Sequence, residues 1–294
     1  MNKNPKMIGH LFAIFTTVVW GTSFIVSKYL MDVVTPIQLM WLRFVLAYIM
    51  LWVLHPVWRF HWKEEANFLL IALFANTIYF LTENTALQLT QTSNVSILVT
   101  TSPMFVVLIL AMLRQGEPQT KAQIAGYVVA FVGVVLVVLN GTLVLQLRPL
   151  GDFLALLAAA SWAVYGILVR STSEKFSSFL ITRKLMFYGI LTSIPLLMLD
   201  DPNFRFAEIF TWQFIPWLLY LSFIASAICY LLWNISIKHL GVLTANLYMY
   251  AIPLVTLLAG AIFLNETITL MGSIGIVLVI IGMMLSSITL GKEA

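Results

Sequence analysis

Two ionisable side chains lie where charge is costly. Glu83 sits in "YFLTENTALQL" (79–89) and Arg43 in "TPIQLMWLRFVLAYIML" (35–51), both inside long apolar runs. Charged groups buried in hydrocarbon are rare and mark substrate, ion or proton pathways by default. Arg43 is seven residues into a run over 36–54 and Glu83 four residues before the end of one over 67–87. At a rise of ~1.5 Å per residue this puts Arg43 about 10 Å and Glu83 about 6 Å below one membrane face. Similar depth on consecutive helices makes the two expected neighbours. A static salt bridge, a substrate site and a proton carrier are all compatible with that placement. Arg43 suits a carboxylate and Glu83 an ammonium, a pairing that fits amino-acid-like zwitterions; Glu83 is alternatively a group that takes up and releases a proton.

Asn76, Tyr79 and Glu83 recur at spacings that share one helical face, continued by Ala86 and Thr90. A polar stripe in a lipid-embedded helix must face protein or water, so these residues are candidates for the same site; interhelical hydrogen bonding is the alternative. Asn84 lies beside the stripe, and with Asn234 it reads as packing. Trp20 and Trp162 lie deep in apolar runs. Tyr165 follows Trp162 by three, and Trp233 follows Tyr230 by three, so each pair shares a face. Such aromatics line cavities and stack on aromatic or cationic solutes, or simply pack. Pro103 and Pro253, in mid-run, remove a backbone donor and bend a helix, which predicts a hinge or a shaped cavity wall.

These residues need a membrane scaffold to hold them. Of 294 residues, 61% are hydrophobic and 10% charged, against about 25% charged in soluble domains. Apolar runs long enough to span a bilayer fall at 8–31, 36–54, 67–87, 93–113, 121–139, 149–170, 179–199, 212–236, 242–264 and 270–290. None alternates as a barrel strand does, so the expected fold is an all-α membrane protein of ten transmembrane helices. The first run is too long for a signal peptide and is read as an uncleaved span. Lys and Arg crowd one side: Lys3, Lys6, Arg59, Lys63, Arg114, Lys121, Arg170, Lys175, Lys238 and Lys292 oppose Lys28, Arg148 and Arg205. This bias predicts both termini in the cytoplasm and a multi-pass protein of the cytoplasmic (plasma) membrane. Trp58, Trp62, Trp212 and Trp217 fit interfacial anchoring. The net charge of +4 is spread thinly and gives no nucleic-acid signal.

The chain is a duplication. A shift of 142 aligns Gly9 with Gly151, Trp20 with Trp162 and Lys28 with Arg170; a shift of 150 aligns Asn84 with Asn234 and Pro103 with Pro253. A shift of 149 aligns Glu117 with Glu266, Thr120 with Thr269, Gly126 with Gly275 and Gly133 with Gly282. This divides the chain at 1–145 and 146–294. Five spans per half is an odd number, so the halves insert in opposite orientations, and inverted repeats place a transport site between them near the midplane. Matching breaks at Pro103 and Pro253 point to that site. Glu117 and Glu266 precede helices opening on Thr120 and Thr269 and read as helix-terminus residues, not catalytic ones. The paired glycines read as close helix packing.

"VVWGTSFIVSKYL", "TPIQLMWLRFVLAYIML", "TSNVSILVTTSPMFVVLILAML" and "GEPQTKAQIAGYVVAFVGVVLVV", repeated in the second half as "TANLYMYAIPLVTLLAGAIFLNETITLMGSIGIVLVIIGMML", resemble the drug/metabolite transporter superfamily, EamA-type branch. The resemblance covers nearly the whole chain. It implies ten helices, a central cavity, and export or exchange of small metabolites. The superfamily's small multidrug exporters carry a coupling Glu in the first helix, where this chain has none.

The expected function is a secondary transporter, an exporter or facilitator, of small organic metabolites such as amino acids. Its site residues would be Trp20, Arg43, Asn76, Tyr79, Glu83, Trp162, Tyr165, Tyr230 and Trp233, with Pro103 and Pro253 as hinges. The expected partners are a small-molecule substrate and the lipid bilayer; proton coupling and a homodimer remain open. No GxxxxGK[ST] loop or HExxH motif is present, so no cofactor, metal or catalytic residue is assigned. An intramembrane enzyme acting on lipid-linked substrates and a non-transporting sensor or scaffold are the rival classes.

Overall fold

The computed structural model describes residues 5–56, 60–90, 92–114, 119–139, 148–201, 205–263 and 268–287. Among them there is no strand. Eight helices are long and apolar enough to cross a membrane: α1 (Pro5–Leu30), α2 (Pro36–Leu54), α3 (Glu65–Leu89), α4 (Val95–Met112), α5 (Lys121–Leu139), α6 (Pro149–Lys175), α7 (Ser178–Met198) and α8 (Ile215–Leu240). Two shorter apolar helices, α9 (Val242–Leu258) and α10 (Leu270–Ser286), complete the ten. With no water in hydrocarbon to satisfy the backbone, helices are the solution for sequences of this kind.

Helix starts follow local chemistry. Thr35 caps α2 in a capping box with Gln38, and Pro36 occupies the first turn, where its missing N–H costs nothing. Ser177 caps α7 at the equivalent place in the second half. Thr120 and Thr269 accept from the backbone N–H of Gln123 and Gly272, both at 3.2 Å, as their sequence positions predict. Glu117, Glu266, Trp58 and Arg59 lie outside the described residues. Trp62, Trp212 and Trp217 are exposed, as interfacial anchors are.

The packing mirrors the duplication. α1 lies against α8 and α6 against α3, while α2 and α7 meet each other. α5 and α10 pair at the periphery through glycines. A Cβ at Gly126 would lie 2.6 Å from the Ser286 nitrogen, one at Gly133 2.6 Å from that of Val279, one at Gly275 2.6 Å from that of Val137, and one at Gly282 2.3 Å from that of Ala130. Only glycine permits backbones this close.

Two departures from regular helix recur in both halves. α3 carries a π-helical segment at Leu73–Ile78 and α8 one at Tyr220–Ile228. α4 is interrupted at Thr100–Thr101 and α9 at a 3₁₀ turn over Tyr248–Ala251. The sequence predicts that Pro103 and Pro253 bend continuous helices; the structure corrects this, because the helices are already interrupted before them. Each stands in the first turn after a break, where it lacks no backbone partner.

Candidate functional site

The four helices α1, α3, α6 and α8 converge on an aromatic cluster at the centre of the bundle. Trp20 lies 5.1 Å from both Trp162 and Trp233, ring centre to ring centre, and Tyr79 lies 5.0 Å from Trp162. The Trp20 indole donates to the Ala225 carbonyl at 2.9 Å, and the Tyr230 hydroxyl to the Ala75 carbonyl at 2.8 Å. Both carbonyls belong to the π-helical segments. Widened π turns are frequent at functional sites, and here they offer backbone acceptors to rings from neighbouring helices. Ser161 likewise donates to the Phe74 carbonyl at 2.7 Å.

Beside this cluster a small cavity carries the two charges. Trp20, Arg43, Tyr79, Glu83, Trp162 and Tyr230 line it, with Ser23, Phe24 and Ser27 from α1, Phe80 from α3, and Met249 and Ile252 at the break in α9. Its free volume is about 20 Å³, room for about one water molecule. Arg43 is held by the Ser226 hydroxyl at 3.2 Å from Nε, and its guanidinium carbon lies 4.4 Å from the centre of the Phe80 ring, a cation–π contact. Glu83 Oε1 accepts from the Tyr79 hydroxyl at 2.7 Å. Arg43 and Glu83 thus face one cavity, but they are not in ion-pair contact. Direct ion pairs are made elsewhere, as in Lys175–Glu64, Lys184–Glu65 and Arg205–Glu208. The two charges are separately anchored, each on its own side-chain partner.

Six of the nine sequence-derived site residues reach the cavity, and three do not. Asn76 donates to the Leu185 carbonyl at 2.7 Å and joins α3 to α7. Tyr165 donates to Asn234 at 2.6 Å, and Asn234 donates to Thr182 at 2.9 Å, which ties α6, α8 and α7 together behind the cavity wall. Trp233 supports the Trp20 and Trp162 rings from behind. The indole N–H groups of Trp162 and Trp233 are buried without a hydrogen-bond partner. Asn84 donates weakly to the Pro36 carbonyl, at 3.4 Å, consistent with a packing role.

Several residues escaped sequence reasoning. Ser23 and Ser27 follow Trp20 by three and seven, a helical spacing that marks them as facing the same way. Ser226, which holds Arg43, is the repeat counterpart of Asn76. A second buried charge cluster lies at the opposite end of α3. Lys184 approaches both oxygens of Glu65, at 2.8 and 3.0 Å, and the Tyr188 hydroxyl donates to Glu65 at 2.5 Å. Glu65 falls just before the run expected over 67–87, and Lys184 lies within the one over 179–199 with no site role assigned from sequence. Glu65 instead opens α3, and the i, i+4 spacing of Lys184 and Tyr188 brings both onto it.

The sequence model of the EamA-like transporter family matches twice, at residues 7–139 and 149–288. An uncharacterized transporter of Archaeoglobus fulgidus is 29% identical over 289 residues, covering 95% of this chain and 96% of its own. A protein of Escherichia coli K12 named as a probable amino-acid metabolite efflux pump is 26% identical over 285 residues, 93% of this chain and 92% of its own. A solved crystal structure superposes with a TM-score of 0.77 over 97% of this chain and 99% of its own; at 19% identity it shares the fold. Two matched repeats, ten apolar helices and a buried cavity between the halves lead to one conclusion: the chain belongs to the EamA-like transporter family of the drug/metabolite transporter superfamily, and it is a membrane transporter.

Proposed function

We propose that this transporter moves small organic zwitterions of the amino-acid class across the cytoplasmic membrane by alternating access, in the export direction, around the cavity between α1, α2, α3, α6, α8 and α9. One observation carries the reading: Arg43 and Glu83 line the same cavity with opposite charges and do not neutralise each other directly. In a low-dielectric site such a pair attracts a carboxylate to the guanidinium and an ammonium to the carboxylate. The unpartnered Trp162 N–H adds a donor for the substrate carboxylate, and the surrounding rings receive the apolar remainder. The name of the Escherichia coli relative supports both substrate class and direction.

The cavity is nearly closed in this conformation, so admission of a substrate needs the halves to part. The breaks before Pro103 and Pro253 are the natural hinges: Ser102 Oγ lies 3.2 Å from Asn246 Oδ1, so α4 and α9 touch across the repeat boundary beside both breaks. The basic side, where α1 begins, is assigned to the cytoplasm, and the cavity then sits in the outer half of the membrane.

Counterflow of labelled amino acids into proteoliposomes tests this, with and without a pH gradient. Wild-type protein is expected to accumulate label, and Glu83→Gln to lose at least about tenfold of the rate. Gln keeps an acceptor for Tyr79, so folding is preserved. Equal flux by the two proteins removes Glu83 from the mechanism; a pH-gradient dependence present only in wild type assigns it the coupling proton.

A further inference from the structure

A second opening, of about 400 Å³, lies on the flank of the bundle between α1, α9 and α10. Its character changes along the membrane normal. At the basic end it is bordered by His10, Thr244 and Tyr248; deeper in, by apolar residues such as Val18, Leu254 and Ile280. Val18 and Ile280 are about half exposed, so the slot opens toward lipid. The 26 residues of α1 extend about 39 Å against about 30 Å of hydrocarbon. His10 therefore lies within a few ångströms of the hydrocarbon boundary, and Lys6, one turn earlier, lies beyond it among headgroups.

The polar end is built. His10 Nδ1 is hydrogen-bonded to the Tyr248 hydroxyl at 2.7 Å, which fixes the ring; Nε2 meets no partner among the described residues. Further basic groups gather around the start of α1. Lys238 and His239 end α8 there, and a Cβ at Gly9 would lie 3.2 Å from the His239 Cβ. Arg170 donates to the Lys238 carbonyl and so brings its own charge to the same end.

We propose that this groove binds an anionic phospholipid, with one acyl chain in the apolar slot and the phosphate against Lys6 and His10 Nε2. Depth, apolar lining and charge all match that occupant. A basic pocket between helices at this face attracts anionic headgroups, each Lys or Arg near the surface contributing about fivefold in affinity. A zwitterionic lipid gains the slot but not the charge term. The proposal is independent of the transported substrate, because the groove shares no lining residue with the central cavity.

Native mass spectrometry of the purified full-length protein tests it, titrated with phosphatidylglycerol, phosphatidylcholine or inorganic phosphate. Wild type is expected to bind phosphatidylglycerol at least about fivefold more tightly than phosphatidylcholine, and inorganic phosphate not measurably. Lys6→Gln/His10→Gln is expected to bring the two lipids within twofold of each other. Ile280→Trp, which fills the slot, is expected to weaken both. Unliganded melting temperatures show that the variants remain folded; should Ile280→Trp not fold, Val18→Phe fills the same slot. Equal affinity of wild type for the two lipids, or an undiminished preference in the Lys6/His10 double variant, overturns the proposal. So does a lipid-independent dimer that the slot-filling variant abolishes, since the groove would then hold a second copy of the chain.

Discussion

At the scale of single residues, the two halves match until an atom is missing. Trp20 and Trp162 are repeat counterparts, as are Ala225 and Ala75. Trp20 donates to the Ala225 carbonyl, but the mirrored bond from Trp162 to Ala75 is not made, because the Tyr230 hydroxyl occupies that carbonyl. The counterpart of Tyr230 is Phe80, which has no hydroxyl to compete for Ala225. Trp162 is left with a buried, unused N–H on the wall of the cavity. Trp20→Phe removes a hydrogen bond; Trp162→Phe removes none. We expect Trp20→Phe to destabilise the protein by about 1 kcal/mol more than Trp162→Phe, read from thermal melts in detergent. Trp162→Phe should instead raise the substrate KM. Equal melting temperatures for the two variants would contradict this assignment.

At the scale of elements, pseudo-symmetry appears as paired irregularities: π segments in α3 and α8, breaks in α4 and α9, and glycine stripes in α5 and α10. The stripes are rigid. A methyl group at Gly282 would stand 2.3 Å from the Ala130 nitrogen, and no rotamer change relieves a clash with backbone. Gly282→Ala is expected to cost about 1–3 kcal/mol, while Ile124→Ala on the exposed face of α5 should lose much less. The melting temperatures of the two variants decide the point: if Gly282→Ala melts with Ile124→Ala, the helices are not in the close contact described. The breaks are where the opening proposed above would have to occur, since each already lacks regular helical bonding.

At the scale of the whole molecule, the same contact is built twice with different chemistry. Arg43 on α2 reaches Ser226 on α8; at the mirrored place, Asn76 on α3 reaches the Leu185 carbonyl on α7. One copy carries charge into the cavity and the other only fastens helices. The inverted arrangement also fixes which loops share a face. In right-side-out vesicles, an impermeant thiol reagent is expected to label Arg205→Cys from outside and Glu174→Cys only after permeabilisation. The native Cys229 is buried and gives little background. Labelling of Glu174→Cys before permeabilisation would reverse the proposed orientation.

The sequence by itself determined the ten helices, the duplication and half of the cavity lining, because hydrocarbon leaves few backbone options and because scarce polar residues in apolar runs have nowhere to face but inward. Glu83, Arg43, Tyr79 and the deep aromatics were legible for that reason. Only the tertiary structure decided which partner each side chain takes. Spacing along a helix fixes a face, but not which of several neighbouring helices that face meets. Hence Asn76 turned out to fasten α7, Lys184 to neutralise Glu65, and the kinks at Pro103 and Pro253 to be helix starts. The stretch "YFLTENTALQL" shows the division most clearly: its composition put Glu83 inside the membrane, and the fold gave it Tyr79 as partner while leaving Arg43 across the cavity, free of a direct ion pair.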